Sequence, residues 1–250
     1  MAQNAEIGEF TGADTPPRQA APQPWIEEPT TARSWLTRPW MLPLALLVAF
    51  FLLISWPRYL GIAPEQSLIP INPDFAAHYT VLWLHVAFGT VAIVTAVLQV
   101  WPWLRRRHPA VHRVSGRAYV FAGILPAALL SLVIMPFGTL QGAGAVGTTL
   151  WAGLSLATTI AGFRAARQGR FADHRRHMLY SFALTMSVMT GRVLFNVAWY
   201  GAPQLPGFSE SQLPLVSQLA GFWLNWILTL GVTYLWLRRK NRTSMEGQQL

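Results

Sequence analysis

From Tyr79 to Leu104 the chain reads YTVLWLHVAFGTVAIVTAVLQVWPWL, and the next three residues are Arg105, Arg106 and Arg107. The run holds no acid and no cation, and it exceeds the roughly 20 apolar residues that carry a helix across a bilayer core. A block of guanidinium groups against one end of such a run holds that end on the cytoplasmic side. Working outward, five more apolar runs have the same character: Trp40 to Trp56, Ala118 to Phe137, Val146 to Phe163, Met178 to Tyr200 and Leu215 to Leu237. Of the 19 basic residues, all but Arg58 and Arg192 fall before the first run, between the second and third, between the fourth and fifth, or after the sixth. Bringing those clusters to one side requires an even number of crossings with both termini cytoplasmic. Charge and hydropathy thus agree on an all-α polytopic membrane protein, a bundle of six transmembrane helices in the plasma (inner) membrane.

The 250 residues leave room for one membrane domain, expected over residues 35–242, with a short cytoplasmic tail at 243–250. Residues 1–34 carry Pro16, Pro17, Pro22, Pro24 and Pro29 among Gln, Ala, Thr and Glu, which predicts a disordered cytoplasmic tail. No apolar core follows a basic start there, so the segment does not read as a signal peptide. The formal net charge of +9 sits at span ends, where it points to anionic lipid headgroups and not to nucleic acid. The absence of cysteine excludes disulfides, thiolate metal sites and cysteine catalysis. The stretch Asn72-Pro73-Asp74 is expected to open the second helix, and Asp173 to cap the fifth. On the fourth run, Gly153, Ala157 and Ala161 recur every four residues, a ridge expected to admit a neighbouring helix.

Three polar stripes run through the hydrophobic pattern. His78, His85, Ala92 and Gln99 share one face of the second run; Ser181, Thr185, Val188 and Arg192, with Asn196 beyond, share one face of the fifth; Gln218, Gly221, Asn225, Thr229 and Thr233 share one face of the sixth. Polar groups in hydrocarbon are costly without partners, so the stripes are expected to face the bundle interior. Arg192 stands inside a span without a carboxylate in any span to neutralise it. Three readings compete: satisfaction by Asn196, Asn225, carbonyls, water or the outer-loop acids Glu65 and Asp74; a bound molecule bearing a carboxylate or carbonyl; or a partner subunit. In the second, His85, Arg192, Asn196 and Asn225 form an outer-half ligand pocket.

At the opposite end, His112, Arg113 and Arg117 precede the third run, and His174, Arg175 and Arg176 precede the fifth. His112, His174 and His177 are candidates for an inner metal or haem site, opposed by the surrounding guanidinium groups. No nucleophile elbow, phosphate loop or intramembrane carboxylate pair is present, so no catalytic residue is assigned.

These same stretches resemble the bacterial predicted-membrane-protein family catalogued as domain of unknown function 2306. The residues that carry the resemblance are His85 and Gly89; Leu104, Arg105 and Arg107; His112, Arg113, Gly116, Arg117 and Tyr119; His174, Arg175, Arg176, Met178, Ser181 and Ala183; and Arg192. It covers about Tyr79 to Tyr200, and the chain departs from it at His177 and Tyr180, where the family has Trp and Arg. The resemblance implies a multi-span membrane protein without established chemistry. Three functions remain open: a binding protein for a small hydrophobic anionic or carbonyl-bearing ligand, a haem-binding redox or oxidase-assembly protein, and a structural subunit of a membrane complex.

Overall fold

The computed structural model describes residues 39–60, 64–67 and 69–246, with side-chain surroundings through residue 240. The N-terminal tail expected over 1–34 lies outside the described residues, as do residues 247–250. Every regular element among the described residues is helical. Five long helices are apolar enough to cross a membrane, and Met41–Ser55 (α1) is a shorter apolar one of 15 residues. The five are His78–Val100 (α2), Pro109–Phe137 (α3), Ala143–Arg167 (α4), Phe171–Gly201 (α5) and the run Leu213–Leu219, Ala220–Leu224 and Asn225–Glu246 (α6). Large apolar side chains such as Leu46, Phe50, Leu53, Phe121, Leu129, Val193, Val197 and Leu235 face outward. A surface this apolar is compatible with lipid and not with water.

α2 lies antiparallel to α3, and Gln99, Ala92 and His85 of its predicted stripe each find α3. Gln99 Nε2 donates to the His112 carbonyl at 3.0 Å and to Ser115 Oγ at 2.7 Å. One heptad along, Ala92 meets Gly123, and a further heptad brings His85 Nδ1 to the Ala127 carbonyl at 2.8 Å. Inside α3, residues Val120–Ile124 widen into a π turn directly ahead of Pro126, which has no N–H to give the ladder. The bulge sets Gly123 against α2 at the tightest point of the pair.

α4 and α5 are joined by the turn around Gly169, whose φ of 71° suits glycine. Ser181 is the junction of three helices: its Oγ lies 2.7 Å from Thr159 Oγ1 on α4 and 2.6 Å from the Tyr119 hydroxyl on α3. Tyr119 also meets Thr185 Oγ1 at 2.8 Å. This closed network of buried hydroxyls replaces water as partner for four polar groups, which is what a low-dielectric interior demands. α6 crosses α5 where Gly191 meets Gly221, and it crosses α4 where Gly147 meets Phe222 and Trp223. α1 is peripheral; Val48 packs with Ile93 of α2 and Met189 of α5.

Three local expectations are corrected. The helix expected to open at Asn72 opens at His78 instead: Asn72 Oδ1 does accept the Asp74 N–H at 2.9 Å, as a cap would, but it closes only an isolated turn, and Asn72 Nδ2 donates to the Phe137 carbonyl at 2.7 Å. Its side chain caps that turn and ties the loop to α3. Asp173 sits in the first turn of α5, which begins at Phe171, and pairs with Arg170 without capping. The ridge Gly153, Ala157, Ala161 turns largely outward, with no neighbouring atom within 4 Å of where a Gly153 Cβ would stand. Close approach uses the other face of α4, at Gly144, Gly147 and Gly162.

Candidate functional site

The α1–α2–α5 contact of Val48, Ile93 and Met189 forms a floor. Arg192 follows Met189 by one turn of α5, farther from the basic end. The Arg192 side chain is exposed to the surroundings of the helices. Its guanidinium makes no hydrogen bond and no ion pair with any described residue. Its positive charge acts on Tyr59 and on His85, which places both of them near it.

Tyr59 belongs to the helical turn Pro57–Leu60 that follows α1, and it is 3% exposed. Its hydroxyl is hydrogen-bonded with Ser67, and the Arg192 charge reaches it. Its carbonyl accepts from Trp83 Nε1 at 3.2 Å, and Trp83 meets Trp56 edge to face with ring centroids 6.3 Å apart. Trp56 Nε1 in turn donates to Thr90 Oγ1 at 3.0 Å. Trp56, Tyr59 and Trp83 thus form one aromatic cluster, of which Tyr59 lies within reach of the Arg192 charge.

The tautomer of His85 follows from its partner. A carbonyl oxygen only accepts, so Nδ1 carries the proton that reaches Ala127, and Nε2 is left as the second, outward-directed nitrogen. The two asparagines expected here sit elsewhere. Asn196 is exposed and returns its amide to the Arg192 carbonyl one turn back at 2.7 Å. Asn225 is buried on the α6 side of α5, donating to the Ser187 carbonyl at 3.2 Å with Oδ1 unpartnered. Tyr59 escaped the sequence reading because it stands outside the apolar runs; the one signal is its place beside Arg58 and Pro57 at the end of the first.

At the basic end, α3 and α5 both run away from the cluster of arginines, and Tyr119 touches Ser181. Stepping back seven residues on each helix, which returns to nearly the same face, arrives at His112 and His174. His174 Nδ1 donates to the Gly162 carbonyl at 2.9 Å, leaving Nε2 free of that bond. His112 Nδ1 is buried without a hydrogen-bond partner, and the charges of Arg105, His174 and Arg113 reach its ring. His177 instead sets its Cβ beside Gly162. Arg113, Arg117, Arg175 and Arg176 are exposed around this end. Among the described residues no group of three metal-ligating side chains occurs.

Helices of spanning length, an outward apolar surface and polar contacts turned inward define a multi-helix integral membrane protein. The chain belongs to the family described as predicted membrane protein (DUF2306), whose model matches residues 82–237 and so takes in α6 as well as the stretch from α2 to α5. No curated protein and no solved structure matches the chain.

Proposed function

We propose that this protein is a six-span inner-membrane binding protein, with both termini cytoplasmic, that holds a small amphiphile by a carboxylate or carbonyl group in the cleft at Arg192. The observation that carries the reading is a guanidinium in a spanning helix with no hydrogen-bond or ion-pair partner among the described residues. Such a group costs roughly 2.5–3.5 kcal/mol at a membrane centre unless something compensates it. An anionic headgroup supplies the missing charge, the aromatic cluster takes the apolar body, and His85 Nε2 offers a second polar contact. Asn196 and Asn225 stand outside the site, the first bonded back along α5 and the second stabilising the α5–α6 crossing. The test is mass spectrometry of what stays bound after mild detergent extraction: an acidic or carbonyl-bearing amphiphile supports the reading, and a ligand-free, fully stable protein overturns it.

The sixth crossing rests on α1. Its 15 residues rise only about 22 Å, but Trp56 joins it directly to the Pro57–Leu60 turn, and the Tyr59 N–H bonds the Trp56 carbonyl at 2.8 Å. Together they approach the roughly 30 Å of a hydrocarbon core. The native lack of cysteine makes the topology directly readable. Cysteines placed at Gln66 and Gln168 are expected to label from the periplasmic and cytoplasmic faces respectively with impermeant maleimide on intact cells and inverted vesicles. Labelling of both from one face removes the proposed orientation. In that orientation the exposed Arg113, Arg117, Arg175 and Arg176 meet anionic lipid headgroups.

A second reading is favoured by the facing His112 and His174. An imidazole whose Nδ1 is tied to a backbone carbonyl is held as metal-ligating histidines are held, and the basic rim suits the carboxylates of a haem. Titration with hemin is expected to give a low-spin Soret spectrum that both His112→Ala and His174→Ala abolish. A spectrum indifferent to the two substitutions excludes the pair as axial ligands.

A further inference from the structure

The geometry points to a pH-responsive latch at His78 that fastens the loop over the far end of the bundle and opens when the imidazole takes a second proton. His78 is fully buried, the first residue of α2, and its Nδ1 accepts the Asn72 N–H at 2.9 Å. That bond fixes the tautomer: Nδ1 bears the lone pair, so the proton is on Nε2, which is buried and has no partner. Further ties hold the same segment to α3. Asn72 Nδ2 reaches the Phe137 carbonyl at 2.7 Å, Thr139 Oγ1 reaches the Pro70 carbonyl at 2.9 Å, and the Phe75 ring lies against both His78 and Phe137.

A second proton on this ring turns Nδ1 from acceptor to donor, aimed at another donor. The closed loop then contains a buried imidazolium with a repelled N–H on one nitrogen and no acceptor on the other, a state burial strongly disfavours. The open loop hydrates the ring and binds the proton freely. Because the open state binds more protons than the closed one, acid favours opening. On the elements packed against His78 the nearest titratable side chains are Tyr79 on α2 and Asp74 on the loop; Asn72 and Phe75, which touch the ring, and Phe137 of α3 behind Phe75 carry no charge. Asp74 is exposed and makes no ion pair with His78 among the described residues, so it does not hold the protonated ring in the closed state.

The latch bears on the cleft because Ile69 and Ile71 of the same loop pack onto Tyr59, Leu82 and Ile134. Releasing them frees the wall that faces Arg192; this consequence, though not the latch itself, rests on the binding role proposed for that cleft. The test uses the full chain with one cysteine, Ile71→Cys, and a second preparation carrying Gln66→Cys on the exposed part of the loop as the reactivity standard. The maleimide labelling rate at position 71, divided by that at position 66, is expected to rise about tenfold between about pH 8 and about pH 5, the range in which a histidine gains its proton. His78→Asn keeps an acceptor for the Asn72 N–H without titrating there, and it is expected to flatten the profile; His78→Gln serves the same purpose should asparagine leave the protein aggregated. Asp74→Asn is expected to keep the acid response. A flat profile in the parent, or an acid response that survives loss of His78, overturns the latch. The readout needs no ligand, so failure of the latch leaves the Arg192 cleft standing, and an empty cleft leaves the latch standing.

Discussion

Arg192→Ala is expected to lower retention of an acidic or carbonyl-bearing amphiphile by about a hundredfold, the loss of one charge-assisted bidentate contact in a low-dielectric site. The folded bundle is expected to survive. In the structure the guanidinium supports no neighbouring side chain: Asn196 uses the Arg192 backbone carbonyl, which alanine retains, and the floor beneath is built from Val48, Ile93 and Met189. Removing an uncompensated cation from a spanning helix also relieves a cost, so the variant should be at least as thermostable in detergent as the parent. Arg192→Lys keeps the charge without the planar fork and should retain part of the binding. Quantifying co-purified molecules by mass spectrometry, with size-exclusion profiles beside them, separates the outcomes. Lost ligand with a monodisperse peak supports the cleft, aggregation makes Arg192 a packing residue, and parental behaviour in both assays removes the binding function.

The residues behind that experiment were legible to different degrees. Arg192 and His85 stand out in sequence because a charge or imidazole within an apolar run violates the pattern that makes the run a span. The stripe His78, His85, Ala92, Gln99 was readable for the same reason, since period 3.6 is imposed by the helix itself. What periodicity does not encode is which neighbour a face meets. Asn225 and Arg192 occupy similar depths, yet they lie on different sides of α5, because Gly191 and Gly221 draw α6 against the face that carries Ser187. Tyr59 was hidden for a related reason: its place near Arg192 depends on how the end of the first helix packs against its neighbours, which no local pattern specifies. Tyr119 was visible as a motif residue, but its role as hub of the Ser181, Thr185 and Thr159 hydroxyls required three helices to be placed together.

Glycine makes the same point with opposite sign, and it supplies the second large effect. Gly123→Leu is expected to destabilise the bundle by about 3 kcal/mol or more, whereas Gly153→Leu is expected to be neutral. A Cβ on Gly123 would stand 2.9 Å from the Ala92 Cα and 3.0 Å from its backbone nitrogen. Backbone does not rotate out of the way as a side chain does, so α2 and α3 must separate. That separation stretches the bonds on either side, from His85 to the Ala127 carbonyl and from Gln99 to Ser115. Within lipid there is no hydrophobic force to press the helices together again, since the tails are as apolar as the side chains. Gly153 has the stronger appearance in sequence, with Ala157 and Ala161 completing a small-residue repeat, but it faces outward with nothing within 4 Å. Thermal midpoints of the two variants by fluorescence-detected size exclusion decide between periodicity and observed contact. Equal damage at both positions would mean that the outward ridge is itself packed against a helix, and that the α2–α3 contact at Ala92 is not the one that holds the bundle.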